Sequence, residues 1–418
     1  MARLWTSGFE IGQIYEWTSS GGSLVAQTDI ARSGQWGVRF PTGLSGNRFR
    51  LVHSFVSPAN NGPYFFRACL YMENLPGGET RFLAITNGAT FLAFITVDTD
   101  GLLRLYDEDG QIGSASSPLA TGVFHTIELE FDRTGSAGAH VIRARVGLSE
   151  FAGAANRSIS LGVTQFWVGI NLNNEALDGG DFIYDDCAQN DSAGSVQNSY
   201  CGEENNIYLR PNGDGTLGLD WTGSWQDIDE TPPNQATDVI SSKTLNQVES
   251  SVLTDSGLSA DDTILYVQVG MQFGGGASSA NSTFAVGIAD SAENQEYSAN
   301  LVPPDQFWHT NTIGNSRYNP LTLYDLPGAS GDPWTPAELD VSQLLAKITV
   351  ANTNIARITA MWLIVGYIPA VVPPSAGPGS PFLPRKDADS GYHCFVQQFV
   401  KNLLLGGEPM RLPDGTIW

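Results

Sequence analysis

The sequence predicts an all-β protein: tandem antiparallel β-sandwich (jelly-roll) domains followed by an extended C-terminal tail with a short helix. Three observations predict it. Apolar residues come in short runs that alternate with polar ones, the period of a strand and not of a helix. Forty-six glycines and twenty-two prolines punctuate those runs, and several glycines sit in the Asn-Gly and Asp-Gly pairs that tight hairpins use. The chain has 418 residues, more than one core usually organises at roughly 100–200 residues per domain.

Residues 4–11 read as the opening strand, with Trp5, Phe9 and Ile11 apolar. Trp36, Val38 and Phe40 then alternate with Gly37 and Arg39. In the run YFFRACLYM, Phe66, Ala68, Leu70 and Met72 share one face, and Phe65, Arg67, Cys69 and Tyr71 share the other. One face must be core; the other must meet a second sheet or a partner. Residues 82–85 and 91–97 form a hairpin across Asn87–Gly88, and Asp100–Gly101 leads into 102–106. Runs at 125–131, 141–146 and 166–170 complete a two-sheet sandwich of roughly ten strands.

The stretch from Phe182 to Pro211 is the seam. Phe182 and Tyr184 belong to a closing strand that ends at the turn-like Asp185 and Asp186, and Ile207 and Leu209 resume alternation beyond a polar connector. The closing strand is expected to pair with the opening one, near Phe9. The domains expected are therefore a first sandwich over 1–192, a connector over 193–202, a second sandwich with a short helix over 203–369, and a linker and anchoring tail over 370–418.

In the second half, Asn212–Gly213 and Asp214–Gly215 read as turns. Residues 263–273 form the clearest core strand, with Leu265, Val267, Val269, Met271 and Phe273 on one face. Further strands are expected at 284–288, 306–308, 321–324 and 360–368. Thr335, Pro336 and Glu338 spell a helix start with cap, first-turn proline and capping-box acid. Continued to about residue 345, that helix would carry Val341, Leu344 and Leu345 to the sheet. Residues 369–384 are a proline-rich linker. Beyond it Tyr392, Phe395, Phe399, Val400, Leu403 and Leu404 recur at helical spacing before Gly406–Gly407, the pattern of a helix that anchors the chain on a partner. The alternative is that this helix folds back on its own domain.

A net charge of −23, from 21 basic and 44 acidic residues, argues against nucleic acid as a partner, since phosphates demand clustered Lys and Arg. No apolar run is long enough to cross a bilayer, and the N-terminus lacks a signal-like apolar core, so no membrane insertion is expected and synthesis in a cytoplasm is. Cys69, Cys187, Cys201 and Cys394 include no CxxC pair. Cys187 and Cys201 flank the connector and would close a small loop as a disulfide in an oxidising setting; otherwise they are free thiols.

Three groups of residues carry candidate chemistry. Glu128, Glu130 and Asp132 alternate on one strand, an arrangement that glycan hydrolases use for acid and nucleophile; a strand with one solvated face gives the same alternation, with Ile127, Leu129 and Phe131 inward. Glu10, Asp185 and Asp186 come together if the end strands pair, offering hard oxygens to a structural Ca²⁺; plain edge polarity explains them as well. Tyr15, Trp17 and Trp36 offer rings for sugar stacking or for a core. No GxSxG, HExxH or phosphate-cradling glycine loop is present.

The segments RLWTSGFE, GPYFFRACLYM, GLLRLYD, FHTIELEFD and FIYDDCAQND resemble the laminin-G-like, concanavalin A-like sandwich at the N-terminus of tailed-bacteriophage minor structural proteins. IYLRPNGDG, DETPPN, NPLTLYDLPGASGDPWTPAELD and WLIVGYIP resemble the second domain of the same proteins, so the resemblance covers about residues 1–370. Cys187 and the Tyr200–Cys201 pair depart from the family's more usual residues, so no redox behaviour carries over. The resemblance implies a non-enzymatic virion structural protein assembled in the host cytoplasm and displayed on the particle, at a tail fibre or tip. It implies other virion proteins as partners, a homo-oligomer, and host surface glycan bound through the first sandwich; no cofactor is expected apart from the structural Ca²⁺. Capsid decoration, as a cement or head-fibre protein, is the alternative, and a glycan hydrolase using the strand carboxylates is the second.

Overall fold

A computed structural model describes residues 3–14, 16–21, 24–41, 49–54, 61–170, 181–193, 197–234, 237–303 and 334–370. The chain is all-β, and its strands build four antiparallel sheets. An eight-stranded sheet runs in spatial order Ser149–Arg157, His140–Val146, Phe124–Asp132, Tyr64–Met72, Phe182–Asp191, Gly37–Phe40 and Val25–Gln27, and Arg3–Ser7 also pairs with Phe182–Asp191. A seven-stranded sheet runs Gly110–Ile112, Leu103–Asp107, Thr90–Val97, Thr80–Asn87, Gln165–Ile170, Phe49–Ser54 and Ser19–Gly21. These two face each other across the first core, where Phe66, Ala68, Leu70, Met72, Ile127, Leu129 and Phe131 meet Phe82, Leu83, Ile95, Leu105 and Phe166. The end strands pair as expected, with Ser7 opposite Cys187 and Arg3 opposite Asn190.

The second sandwich is smaller. Its four-stranded sheet holds Asn205–Leu209, Ala356–Ile368, Ile240–Ser242 and Thr263–Gly275; its five-stranded sheet holds Pro211–Leu219, Val248–Leu253, Gln343–Val350, Thr283–Ala289 and Gln295–Tyr297. Val267, Val269, Met271 and Phe273 point into the core between them, with Leu363 and Val365. The opposite face of the four-stranded sheet carries Tyr266, Gln268, Ala360, Trp362 and Ile364. Tyr266, Ala360, Trp362 and Ile364 pack with the first domain, and Gln268 hydrogen-bonds to Thr6 there. The two sandwiches are thus stacked face to face as four layers, and residues 1–370 form one compact unit. Two glycines make the stack possible: a Cβ on Gly270 would lie 2.1 Å from the Trp362 indole, and one on Gly366 would lie 2.1 Å from the Tyr266 ring.

Four expectations are corrected. The closing strand does not stop at Asp186; it runs to Asp191 through a bulge between Asp185 and Ala188, with Asp186 at φ 45°. Asn212–Gly213 and Asp214–Gly215 are not turns. They lie within the strand Pro211–Leu219, whose register shifts twice against Val248–Leu253, and a Cβ on Gly215 would meet Ser250 and Gln343 at 2.4 Å, so glycine here permits close backbone approach. The helix keeps its predicted start, a capping box in which Thr335 Oγ1 accepts from the Glu338 N–H and the Glu338 carboxylate accepts from the Thr335 N–H. It ends at Leu339, however. Leu344 and Leu345 belong to a strand paired on both edges, with Val248–Leu253 and Thr283–Ala289, and Val341 is half exposed; two hydrogen-bonded ladders outweigh continuation of a short helix. The first sandwich has fifteen strands where about ten were expected, because short edge strands carry weak periodicity. The strands expected at 306–308 and 321–324, the proline-rich linker, Tyr15, and the anchoring residues Tyr392, Phe395, Phe399, Val400, Leu403 and Leu404 lie outside the described residues.

Candidate functional site

The outer face of the eight-stranded sheet gathers most of the chemistry predicted for the first domain. Alternation along Phe124–Asp132 sends Ile127, Leu129 and Phe131 inward and Glu128 and Glu130 outward, as expected. That outward face is not solvated. Glu128 is fully buried and Glu130 nearly so, because Tyr200 and Gly202 of the connector lie over them. Glu128 accepts from Arg145 Nε at 2.7 Å and from the Gly202 N–H at 2.9 Å. Glu130 accepts from Arg143 at 3.0 Å and from the Tyr200 hydroxyl at 2.8 Å, and Arg145 stacks on the Tyr200 ring. Burial pushes the Glu128 carboxyl above its usual range, against the pull of Arg145 and the Gly202 N–H. Asp132 stands apart, capping the next turn through the N–H and hydroxyl of Thr134. The arginines come from register: Glu128 faces Arg145 and Glu130 faces Arg143 on the neighbouring strand. The carboxylates serve as anchors for the connector.

The connector is tied down along its length. Ser199 O accepts from Asn190, Cys201 Sγ donates to Phe65 O, Gly202 O accepts from Arg67, and Glu203 accepts from Thr126. Glu204 takes two buried arginines on one oxygen, Arg3 at 2.5 Å and Arg67 at 2.9 Å, and Tyr266 of the second sandwich donates to the same oxygen and stacks under Arg3. All four side chains are fully buried or nearly so. Sequence reasoning missed this cluster. Arg67 stood on the face predicted to meet a second sheet, but Glu204 is 137 residues away and nothing local links them.

Glu10, Asp185 and Asp186 do converge, as expected from the pairing of the end strands, but their oxygens are taken by the chain itself. The loop Arg32–Trp36 wraps them. Asp185 accepts from the Arg32 and Ser33 N–H groups, and Asp186 accepts from the Arg32 guanidinium, Ser33 Oγ and Asn206. Glu10 accepts from the Gln35 and Trp36 N–H groups at 2.9 and 2.7 Å. Gly34 is obligatory in this loop: its φ is +61° and a Cβ would lie 2.3 Å from the Glu10 carboxyl. Burial raises Glu10 to about 7 against those N–H bonds, and burial together with the Asp186 charge raises Asp185 well above the carboxylate range. A cation at these oxygens would have to displace an arginine and four backbone donors. Among the described residues no group of three or more His, Cys, Asp and Glu could hold a metal ion.

The disulfide expectation is corrected. Cys187 and Cys201 are free, as is Cys69. Cys187 packs in the first core, whereas Cys201 lies over the opposite face of the sheet, on Phe65 O; the sheet separates them. Burial pushes Cys69 to about 11 and Cys201 to about 12, so these are unreactive thiols. Trp17 is a core residue, edge-on to Trp5 and stacked with Phe9. Trp36 is half-buried against the same core.

A second arrangement that sequence missed lies on the outer face of the seven-stranded sheet. Val52, Trp167, Ala84, Phe94 and Tyr106 face one another across five strands. Arg50 lies over Trp167, Trp167 meets Phe91 edge-on, Arg81 lies over both Phe91 and Phe94, and Phe94 stacks on Tyr106. The rings and guanidinium groups stack on each other.

No family model and no curated protein sequence matches the chain. Similar solved structures include a cellulose-induced protein, Cip1, at 15% identity over 47% of this chain and 99% of that one, with a TM-score of 0.35. They also include a Trypanosoma rangeli sialidase in complex with sialic acid, at 14% identity over 42% of this chain and 30% of that one, with a TM-score of 0.30. The chain spans less than a third of the sialidase's length. The likeness concerns the β-sandwich fold alone.

Proposed function

We propose that the chain is a non-enzymatic structural protein of a tailed-phage particle, displayed on the particle surface at the tail and able to bind host glycan through its first sandwich. The observation that supports the non-enzymatic reading is the fate of Glu128 and Glu130. A retaining or inverting glycosidase needs one protonated and one ionised carboxyl with room for sugar and water between them. Here each carboxylate spends its oxygens on an arginine and on the connector, beneath a buried polar seam that joins the two sandwiches. Such a seam suits a structural or display role, in which two domains must keep one arrangement. The sequence resemblance over residues 1–370 supports the phage assignment, and the near-neutral tail supports anchoring: it holds four basic and four acidic residues beyond Val371.

Cryo-electron microscopy of particles made with the full chain and with a chain ending at Pro369 tests this. Loss of sandwich density from a symmetric tail position on truncation is the expected result. Density on the head would move the assignment to capsid decoration. Particles without density for either chain would remove it.

A further inference from the structure

Where the strand Phe124–Asp132 turns into His140–Val146, the first sandwich leaves a pocket of about 490 Å³, lined among others by Asn61, Arg133, Thr134, His140, Ser158 and Ser160. Its size suits a small ligand. Arg133 is the charged group in its wall, and its bonds are unusual for this chain. Nε donates to Ile159 O at 3.0 Å, Nη1 to Asn61 Oδ1 at 2.8 Å and Nη2 to Ser160 O at 3.1 Å. Every acceptor is neutral. The neighbouring Arg143, Arg145 and Arg157 each pair with a carboxylate, yet among the described residues none pairs with Arg133. A guanidinium has five N–H donors, so these three bonds leave two uncommitted.

The rest of the lining narrows the ligand. His140 accepts from the Ile159 N–H at Nδ1 and bonds to Gly135 O through Nε2, so both ring nitrogens are already used by the backbone. Ile159 gives an apolar patch, and Thr134, Ser158 and Ser160 give hydroxyls. The acids nearby are held by the chain: Asp132 by Thr134, Glu108 by Ser160 Oγ, and Asp107 and Asp109 by Arg157. They still contribute negative potential, which disfavours a multiply charged phosphate or sulfate. One planar carboxylate on an otherwise neutral, hydroxylated body matches a single guanidinium fork.

We propose that this pocket binds a carboxylate-bearing sugar unit, with its carboxylate on the two uncommitted N–H donors of Arg133 and its hydroxyls on Thr134 and Ser158. The proposal rests on the glycan-binding part of the function proposed above and gives it a location. The test is calorimetric titration of the full chain with D-glucuronate, with D-glucose and acetate as controls, and amide spectra to locate the contact. Expected are saturable glucuronate binding that exceeds both controls about tenfold, weakening with salt, and shifts confined to residues 133–140 and 158–160. Arg133→Gln should cost about tenfold in affinity. Should that variant fail to fold, Ala137→Leu fills the pocket without touching a bond of Arg133 and should abolish binding. Glucuronate binding no tighter than glucose, shifts centred elsewhere, or unchanged affinity in Ala137→Leu would each overturn the proposal. Particle incorporation is read separately: a chain that binds glucuronate but is absent from particles sinks the virion assignment alone, and one that is incorporated but does not bind sinks the pocket alone.

Discussion

The strand Tyr64–Met72 presents two faces to two quite different layers. On one, Phe66, Ala68, Leu70 and Met72 enter a core of aliphatic and aromatic side chains. On the other, Phe65, Arg67 and Cys69 enter the seam with the connector and the second sandwich, where Arg67 lies fully buried against Glu204. Both layers exclude water, but they do so with opposite materials. Burial of apolar area is non-directional, so the core fixes that the sheets adhere, while an arginine–carboxylate contact has one geometry and fixes how they adhere. The lesson is that the seam is an expensive layer retained for its single arrangement. A wholly apolar seam of the same volume would be as stable or more so, and less particular about register.

The largest effect is expected from breaking the seam at its centre. Glu204→Ala leaves Arg3 and Arg67 buried without a counter-charge and should cost about 3–5 kcal/mol, measured by denaturant unfolding. Because the two cores are separate, it should also split unfolding into two transitions, one per sandwich. The triple replacement Arg3→Met, Arg67→Met, Glu204→Leu should recover most of that loss. A single transition with little change in midpoint for Glu204→Ala would show that the seam holds nothing together. The matching change in the core, Leu129→Ala, should cost about 3 kcal/mol through the cavity it leaves. With the seam intact, it should lower the midpoint of one shared transition without splitting it.

The same contrast explains what could be read from the sequence. Alternation is a local signal, so the core faces of 64–72, 125–131 and 267–273 were legible and pairing of the end strands followed from them, whereas Leu265, beside the register shift between Ile264 and Tyr266, packs on the first domain and not in the second core. The capping box of Thr335 and Glu338 was legible because its four residues touch. What failed was decided across strands. Leu344 and Leu345 read as helical until two neighbouring ladders claim them, and Gly213 and Gly215 read as turns until Val252 crowds the first and Ser250 and Gln343 the second. The candidate sites followed the same rule. That Glu128, Glu130 and Asp132 share a face was visible; that Arg145, Arg143, Gly202 and Tyr200 satisfy the two glutamates was not, because register and the path of the connector are set by the whole sheet. Glu10, Asp185 and Asp186 were brought together correctly, but the loop that neutralises them offers mainly backbone N–H groups, which leave no mark in composition.

Acidity gives a subtler way to separate seam from core. Glu10 is raised from 4.5 to about 7 by burial, with the charges of Asp186 and Glu16 adding to it. The folded chain therefore holds that proton more tightly than the unfolded one. The associated stability is fully present below about pH 4.5 and is lost as pH rises to about 7. Glu249 and Glu230, in the second sandwich, are also raised to about 7, mainly by burial, so the chain should lose stability over that window from both sandwiches. Glu10→Gln should flatten the part of the slope that belongs to the first sandwich, and Glu249→Gln with Glu230→Gln the part that belongs to the second, as read from thermal midpoints between pH 4.5 and 7.5. An unchanged slope in Glu10→Gln would mean that the Arg32–Trp36 loop accommodates the charged carboxylate without cost.

The smallest effect on stability separates anchoring from catalysis at Glu128. Glutamine in its place keeps the shape and can still accept from Gly202, but it loses the charge that Arg145 pairs with, so a loss of about 1–2 kcal/mol is expected from a weakened charge-assisted bond. A catalytic carboxyl would behave otherwise: its amide costs little stability and nearly all activity. Glu128→Gln should therefore lower the unfolding midpoint slightly and leave any turnover of acidic or neutral polysaccharides at the wild-type level, while Arg145→Gln reproduces the same loss from the other side of the pair. If Glu128→Gln instead proved as stable as the parent and abolished a measurable hydrolysis, the connector would have to lift from the sheet during turnover. The seam would then be a lid and no longer a joint.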